Sequence, residues 1–159
     1  MSLAHETSLL PMPEMQRITA LFGGARVLKH RVTDRLEAHE MLQQGMPSQA
    51  LLHLIEGLSI LRDPISLEKA VGISLRTIQR RKETPGKALS AEQGGRAWKF
   101  AEVLAQATDV MGNQDNAERW LERPALALNG RRPIDLLTTP AGIELVQQLL
   151  GRLKYGVYT

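Results

Sequence analysis

The side chains best suited to chemistry lie between Ser74 and Lys87, and they are suited to binding nucleic acid. Hydroxyl, amide, guanidinium and ammonium groups donate hydrogen bonds to base edges and to phosphate oxygens. Groove contacts are predicted for Ser74, Arg76, Thr77, Gln79 and Arg80, and phosphate contacts for Arg81, Lys82 and Lys87. From Arg76 to Lys87 there are five basic residues and one acidic residue, a local charge of +4 in a chain of net charge +3. The rest of the chain therefore sums to −1.

A helix-turn-helix would present these side chains to DNA. Gly72 stands at the turn, where the backbone needs a positive dihedral angle that other residues reach only at a cost. Apolar residues occupy the positions that this motif buries, namely Leu67, Val71, Ile73 and Ile78. The second helix is predicted from about Leu75 to Lys82.

Two residues depart from this motif. Glu68 stands where a small residue lets the two helices approach, and Arg81 stands where an apolar side chain would pack inward. The helix crossing is then altered, or the frame of the motif is shifted. The alternative interpretation of the segment is a basic helix face that only meets water.

The sequence offers little for catalysis or metal binding. The absence of cysteine excludes disulfides and thiolate metal sites. The four histidines, His5, His30, His39 and His53, lack metal-ligand spacing. There is no glycine-rich phosphate loop and no serine elbow, and the paired carboxylates Glu37 and Glu40 are expected to be solvated on a helix face. We therefore expect no enzymatic activity, no cofactor and no metal.

The composition indicates an all-α fold. Apolar residues make up 43% of the 159 residues and are mostly leucine and alanine, while aromatic residues make up only 4%. Leucine and alanine are strong helix formers, and this length suffices for one good core or two small helical subdomains. No run of eighteen apolar residues occurs, and no basic segment followed by an apolar stretch opens the chain. We expect no membrane span and a cytoplasmic location.

Capping signals and apolar periodicity divide the chain into helices. Helix starts are predicted at Pro13, at Asp34 with Glu37 in a capping box, at Pro47, at Ser90 with Gln93 in a second capping box, and at Thr139-Pro140. The helix from Ser90 extends to about Met111, contains Trp98 as a core anchor and joins two helical modules. The predicted domains are an extension with a short helix at 1–30, a helix-turn-helix module at 31–112 and a small C-terminal domain at 113–159.

The last forty residues carry the most specific pattern. It comprises Trp120-Leu121, Pro124, Leu126, Gly130, Pro133, Asp135-Leu136-Leu137, Thr139, Gly142, Val146 and Leu150, followed by Tyr155-Gly156-Val157-Tyr158. The string W-L-x-x-P-x-L-x-x-x-G-x-x-P-x-D-L-L-x-T-x-x-G-x-x-x-V-x-x-x-L resembles the C-terminal domain of Xre/MbcA/ParS-type antitoxins, in particular the Xre partners of RES-domain toxins. The resemblance covers residues 113–157 well and the region from about residue 45 more loosely. Residues 1–30 lie outside it.

This resemblance implies an antitoxin of a type II toxin-antitoxin system. Proteins of this type neutralise a RES-domain toxin that degrades NAD, and they repress their shared operon through the helix-turn-helix. Here the resemblance implies a C-terminal domain that covers the toxin's active site, with contacts from Arg152, Tyr155, Val157, Tyr158 and Thr159. The expected partners are the RES toxin and operator DNA. A homodimer or a larger heteromeric complex is expected, because one short recognition helix buries too little surface for useful specificity.

Two other functions fit the same residues. The first is a stand-alone dimeric helix-turn-helix repressor without a toxin partner, in which the C-terminal domain only dimerises. The second is a helical adaptor that binds a protein and never touches DNA. Without the resemblance, Val157 to Thr159 would be interpreted as a frayed end with an incidental tyrosine.

Overall fold

The computed structural model describes residues 13–156, and these residues form a helical structure. Nine α-helices lie in this part of the chain: α1 Glu14–Leu21, α2 Gly24–Leu28, α3 Arg35–Gln44, α4 Ser48–Glu56, α5 Pro64–Val71, α6 Leu75–Glu83, α7 Ala91–Met111, α8 Gln114–Leu121 and α9 Pro140–Lys154. Short 3-10 turns occur at Ser59–Arg62, Leu126–Leu128 and Pro133–Leu136. The prediction of an all-α fold with a helix-turn-helix and a long connecting helix is confirmed.

Helix α7 is the central element of the core. Its start is the predicted capping box, since Ser90 Oγ accepts the Gln93 N–H at 3.1 Å and Gln93 Oε1 accepts the Ser90 N–H at 3.4 Å. Helices α1, α3, α5, α8 and α9 all pack against α7. Because both the helix-turn-helix and the C-terminal helices rest on it, α7 fixes their relative positions.

The segment before α3 belongs to the core. Ile18, Phe22 and Leu28 are buried, and the Phe22 ring stacks on Trp98 with a centroid separation of 5.7 Å. Helix α1 ends before Gly23, as predicted, but the chain continues directly into the short helix α2, which the sequence did not predict. The part of the predicted extension before residue 13 lies outside the described residues.

The predicted helix starts are present, with one difference in detail. Asp34 caps α3 by accepting the Glu37 N–H at 2.8 Å. The Glu37 carboxylate accepts hydrogen bonds from the hydroxyl and the N–H of Thr33, rather than from the N–H of Asp34 that a capping box requires. The Thr33 hydrogen bonds lower the pKa of Glu37. The hydrogen bond from the backbone to Glu37 thus comes from the residue before the N-cap, because the N–H of Thr33 lies within reach of the Glu37 carboxylate.

Candidate functional sites

The helix-turn-helix is formed by α5 and α6. Gly72 joins the two helices with a φ of 70°, the positive value that the motif needs. Ile73 and Ile78 are buried and hold α6 against the helices beneath it. Ser74 caps α6, because its Oγ accepts the Thr77 N–H at 3.3 Å and donates to Thr77 Oγ1 at 3.1 Å. The predicted frame of the motif therefore agrees with the structure.

Most of the predicted DNA-contacting side chains are exposed on α6 or just after it. The exposed ones are Arg76, Gln79, Arg80, Lys82 and Lys87, while Ser74, Thr77 and Arg81 are half-buried. The basic side chains of this surface take part in none of the ion pairs found among residues 13–156. Their charge is therefore available to an external anion. Leu75, which the sequence analysis did not single out as a contact, is an apolar side chain that is 40% exposed at the first position of α6.

The loop that carries Lys87 is fixed to the start of α4. The Lys87 carbonyl accepts the N–H of Ser48 at 2.8 Å and its hydroxyl at 2.6 Å, and the Pro85 carbonyl accepts the Gln49 N–H at 2.9 Å. These carbonyls pair amide groups that would otherwise lack partners in the first turn of α4. The backbone of Lys87 thereby holds a defined position relative to α6.

Glu68 does not disturb the helix packing. Its side chain is exposed on α5, and the inward face is supplied by Leu67, Ala70 and Val71. The close contact occurs instead at Gly72, where a Cβ atom would lie 2.6 Å from Nη1 of Arg96.

Arg96 connects the helix-turn-helix to the C-terminal helices. Its Nη2 donates to the Lys69 carbonyl at 2.8 Å and to the Leu137 carbonyl at 3.0 Å. Its guanidinium thus joins α5 and the segment before α9, while the Arg96 backbone belongs to α7. Gly72 is required both by its backbone angle and by the space that this guanidinium occupies.

Asp135 makes a second connection between the same elements. Its carboxylate accepts hydrogen bonds from Lys69 Nζ at 2.6 Å and from two nitrogens of Arg132 at 2.9 and 3.0 Å. The Arg132 hydrogen bonds, with a further contribution from Lys69, lower the pKa of Asp135 to about 2. Asp135 belongs to the C-terminal sequence pattern, so this position of the pattern holds α5 in place.

Glu118 makes a third connection. This residue of α8 is 6% exposed, and its Oε1 accepts the Ile60 N–H at 2.9 Å. Its Oε2 accepts a hydrogen bond from Gln114 Nε2 at 3.2 Å. Because the buried carboxylate has partners on both oxygens, α8 is fixed to the turn before α5.

Helix α9 and the residue that follows it carry the described part of the predicted toxin-binding set. Thr139 Oγ1 accepts the Gly142 N–H at 3.0 Å, and a Cβ atom at Gly142 would overlap the Leu136 carbonyl, so the glycine permits the close packing of this helix start. Arg152 is exposed and Tyr155 is 75% exposed at the other end, where Gly156 has a φ of 67°. Val157, Tyr158 and Thr159 lie outside the described residues.

Two leucines within the C-terminal match are exposed and were not predicted as contacts. Leu145 is 52% exposed, and its spacing of seven residues from Arg152 places the two on one face of α9. Leu126 is 96% exposed in a turn that the Ala125 and Arg131 backbones close with a hydrogen bond of 3.1 Å. The sequence pattern includes Leu126, but only the structure shows that Leu128 is the buried leucine of this turn.

The two predicted sets of contacts lie on different elements. Helix α6 packs on α4 and α5, whereas α9 packs on α7 and the last two 3-10 turns. No group of three His, Asp or Glu side chains within residues 13–156 could hold a metal ion. None of the helices in the same range is long and apolar enough to cross a membrane.

These features define an all-α helix-turn-helix protein with a small helical domain after its long central helix. Residues 37–102 match the family model described as the antitoxin Xre-like helix-turn-helix domain. Residues 106–156 match the model described as the antitoxin Xre/MbcA/ParS C-terminal toxin-binding domain. The chain belongs to the Xre/MbcA/ParS-type antitoxin family, which confirms the resemblance in the sequence pattern.

Curated relatives of the chain are named as antitoxins. An antitoxin Xre of Photorhabdus laumondii is 32% identical over 56% of this chain and 60% of its own length. An antitoxin Xre of Yersinia enterocolitica is 34% identical over 57% of this chain and 62% of its own length. A protein named Prs ADP-ribosylating antitoxin, from a Sphingobium species, is 26% identical over 74% of this chain and 78% of its own length. The chain spans about three-fifths of the two Xre relatives.

Proposed function

We propose that this chain neutralises a RES-domain toxin encoded beside it and represses the operon that encodes both. The observation that carries the proposal is the exposed end of α9, where Arg152 and Tyr155 are both exposed, within residues that match a toxin-binding domain. In this proposal residues 31–112 form the DNA-binding module and residues 113–159 bind the toxin. The predicted extension, 1–30, contributes α1 and α2 to the core.

The toxin half rests on the shape and chemistry of that helix end. Tyr155 offers a rigid ring with a polar group, a side chain that loses little conformational freedom on binding. Gly156, the last described residue, is exposed and left-handed, so it turns the backbone after the helix. We propose that Val157, Tyr158 and Thr159, together with Arg152 and Tyr155, cover the toxin's active site.

The choice of an NAD-degrading RES toxin rests on two supports. The C-terminal sequence pattern resembles Xre partners of RES-domain toxins, and the name of the Sphingobium relative couples an antitoxin to ADP-ribosylation. ADP-ribosyl transfer consumes NAD, so both supports point to a toxin that uses this dinucleotide.

The DNA half rests on the exposed basic face of α6. Arg76, Gln79 and Arg80 are exposed on α6, and Lys82 and Lys87 are exposed at its end and just after it. We propose that the first three enter a groove and that the two lysines contact phosphates. Phosphate contacts supply affinity and salt dependence, while groove contacts supply sequence choice. A single helix of nine residues reads few base pairs, so we propose that two copies bind a palindromic operator.

The site assignment is tested by shortening and substituting the α9 end. Removal of Val157 to Thr159, or Arg152→Ala, should reduce neutralisation of the toxin in a growth assay while operator binding in a gel shift stays unchanged. Glu40→Gln, an exposed change on α3, serves as the matched control. Full neutralisation by the shortened chain would remove these three residues from the toxin-binding site.

A further inference from the structure

Residues 26–35 form a second basic element, which the contacts proposed above do not use. They include four basic residues and one acidic residue, a local charge of +3, and the basic ones are Arg26, Lys29, Arg31 and Arg35. Outside this stretch and the basic stretch from Arg76 to Lys87, the remaining residues of the chain sum to −4. The positive charge of the protein is therefore concentrated in two places.

The four basic residues of 26–35 form an exposed surface, which we name the second basic surface. All four are exposed, and none of them takes part in an ion pair among residues 13–156. The carboxylates beside them in the sequence, Asp34 and Glu37, accept hydrogen bonds from backbone N–H groups at the start of α3. The charge of this surface is therefore available to an external anion.

Helix α4 connects the second basic surface to α6, because α2 and α6 both pack on α4. Gln49 and His53 are exposed on α4 and lie one helical turn apart on the same face. His53 Nδ1 lies 3.3 Å from the carbonyl oxygen of Leu21, just before α2, and the Gln49 N–H donates to the carbonyl of Pro85, just after α6, at 2.9 Å. The segments that lead into α2 and out of α6 thus contact α4 about 6 Å apart along its axis.

The two basic surfaces are close enough to meet one DNA duplex. Helix α4 has nine residues and is therefore about 14 Å long, and packed helices lie about 8 to 10 Å apart. At their contacts with α4, α2 and α6 are then at most about 25 Å apart. One turn of B-DNA is longer, about 34 Å, and it carries phosphates along its whole length.

We propose that the second basic surface binds the phosphate backbone of the duplex whose groove α6 enters. The inference rests on the proposed function, and it extends the DNA interface to residues that precede both family matches. A contact of this kind depends on charge and not on base sequence. It therefore adds affinity and salt dependence without changing the sequence preference.

Two double variants with the same loss of charge test this inference. Arg26→Gln with Arg31→Gln removes two guanidinium groups from the second basic surface. The matched control is Arg123→Gln with Arg131→Gln, because these two arginines are also exposed and also form no ion pair among the described residues. Lys29→Gly is a third variant: Lys29 has a φ of 62°, which glycine adopts more readily, so the charge is removed without strain.

Gel shifts of the full-length chains are made over a range of salt concentrations. The probes are a duplex from the region upstream of the gene and an unrelated duplex of the same length. A parallel titration measures binding to the protein encoded by the adjacent reading frame. Thermal unfolding of each variant verifies that it is folded, and Lys29→Gly should unfold at or above the wild-type temperature.

The expected result is a loss of salt dependence in the variants of the second basic surface. The slope of log affinity against log salt concentration should fall by about 0.9 for each lost phosphate contact, which is about 1.8 per bound copy for the double variant and about 0.9 for Lys29→Gly. The preference for the upstream duplex over the unrelated duplex should stay at the wild-type value. The control variant should match the wild type in both slope and preference.

The outcomes separate this inference from the proposed function. A wild-type slope in Arg26→Gln with Arg31→Gln would overturn the inference and leave DNA binding by α6 intact. Equal decreases in the two double variants would also overturn it, because they would reflect total charge rather than this surface. Weaker binding to the protein of the adjacent reading frame, with an unchanged slope, would assign the surface to that protein instead. If the wild-type chain does not bind the upstream duplex, the inference and the DNA half of the proposed function both fail.

Discussion

Replacing Asp135 by asparagine should loosen the contact between the helix-turn-helix and the C-terminal helices in a pH-dependent way. The carboxylate joins Lys69 on α5 to Arg132 in the turn before α9. Asparagine keeps the size and one acceptor oxygen, but it removes the negative charge that both basic groups face. The change therefore isolates the electrostatic part of the contact.

The magnitude follows from the pKa of Asp135. A folded-state pKa of about 2 against an ordinary value of 3.8 corresponds to about 2.4 kcal/mol of stability above pH 4. Since the side chain of Asp135 is 31% exposed, solvent screening reduces the expected loss to about 1 to 1.5 kcal/mol. The folded-state pKa is depressed, so this stability is present at neutral pH and is lost as pH falls from about 4 towards 2.

Urea unfolding of the wild type and of Asp135→Asn at pH 7, 5 and 3 measures this difference. The gap in unfolding free energy should be full at pH 7 and 5 and smaller at pH 3. Glu40→Gln is the control, because Glu40 is exposed and forms no ion pair among the described residues. A gap that is constant across this pH range, or absent at pH 7, would refute the assignment of Asp135 as an ionised link.

Three further predictions concern two glycines of α9, one buried ring and two basic residues of α6. Gly142→Ala should lower the unfolding free energy by about 2 to 3 kcal/mol, because the added methyl group overlaps the preceding turn. Gly151→Ala should raise the unfolding free energy by about 0.5 to 1 kcal/mol, because alanine favours the helix more than glycine does. Thermal unfolding of both variants checks these opposite signs. Phe22→Ala should cost about 3 to 5 kcal/mol because its ring is fully buried, and urea unfolding showing under 1 kcal/mol would place α1 outside the core. Arg76→Ala should weaken operator binding at low salt by about 1 to 3 kcal/mol. Lys82→Ala should instead lower the salt dependence of operator binding: the slope of log affinity against log salt concentration should fall by about 0.9 for each phosphate that the protein no longer neutralises. Gel-shift titrations measure both effects, and unchanged binding in both variants would contradict the recognition frame.

The helix starts and the helix-turn-helix were predictable because their signals are local. Ser90 with Gln93, and Thr139 with Pro140, are capping patterns contained within a few residues, and the structure shows both. The glycine at position 72 predicts a positive φ there, because few other residues tolerate a positive φ. The buried Ile78 fixes which side of α6 faces inward, and helical periodicity then places the basic residues on the exposed side.

The connections between distant elements were not predictable. Lys69 and Asp135 are separated by 66 residues, and no local pattern indicates that they meet. Arg96 bonds to two carbonyl groups, which every residue possesses, so its partners leave no trace in the sequence. The stacking of Phe22 on Trp98 likewise depends on how α1 returns to α7. These contacts position the helix-turn-helix relative to the C-terminal helices, and only the folded chain reveals them.

Co-purification of this chain with the product of the adjacent reading frame, followed by an assay of NAD loss, tests whether the chain is the antitoxin of that product. We expect a stable complex in which NAD loss is silenced, and renewed NAD loss when Val157 to Thr159 are removed. No complex, or a complex in which NAD is still consumed at the rate of the free toxin, would contradict it. A shift of operator DNA without any such complex would then favour a repressor that has no toxin partner.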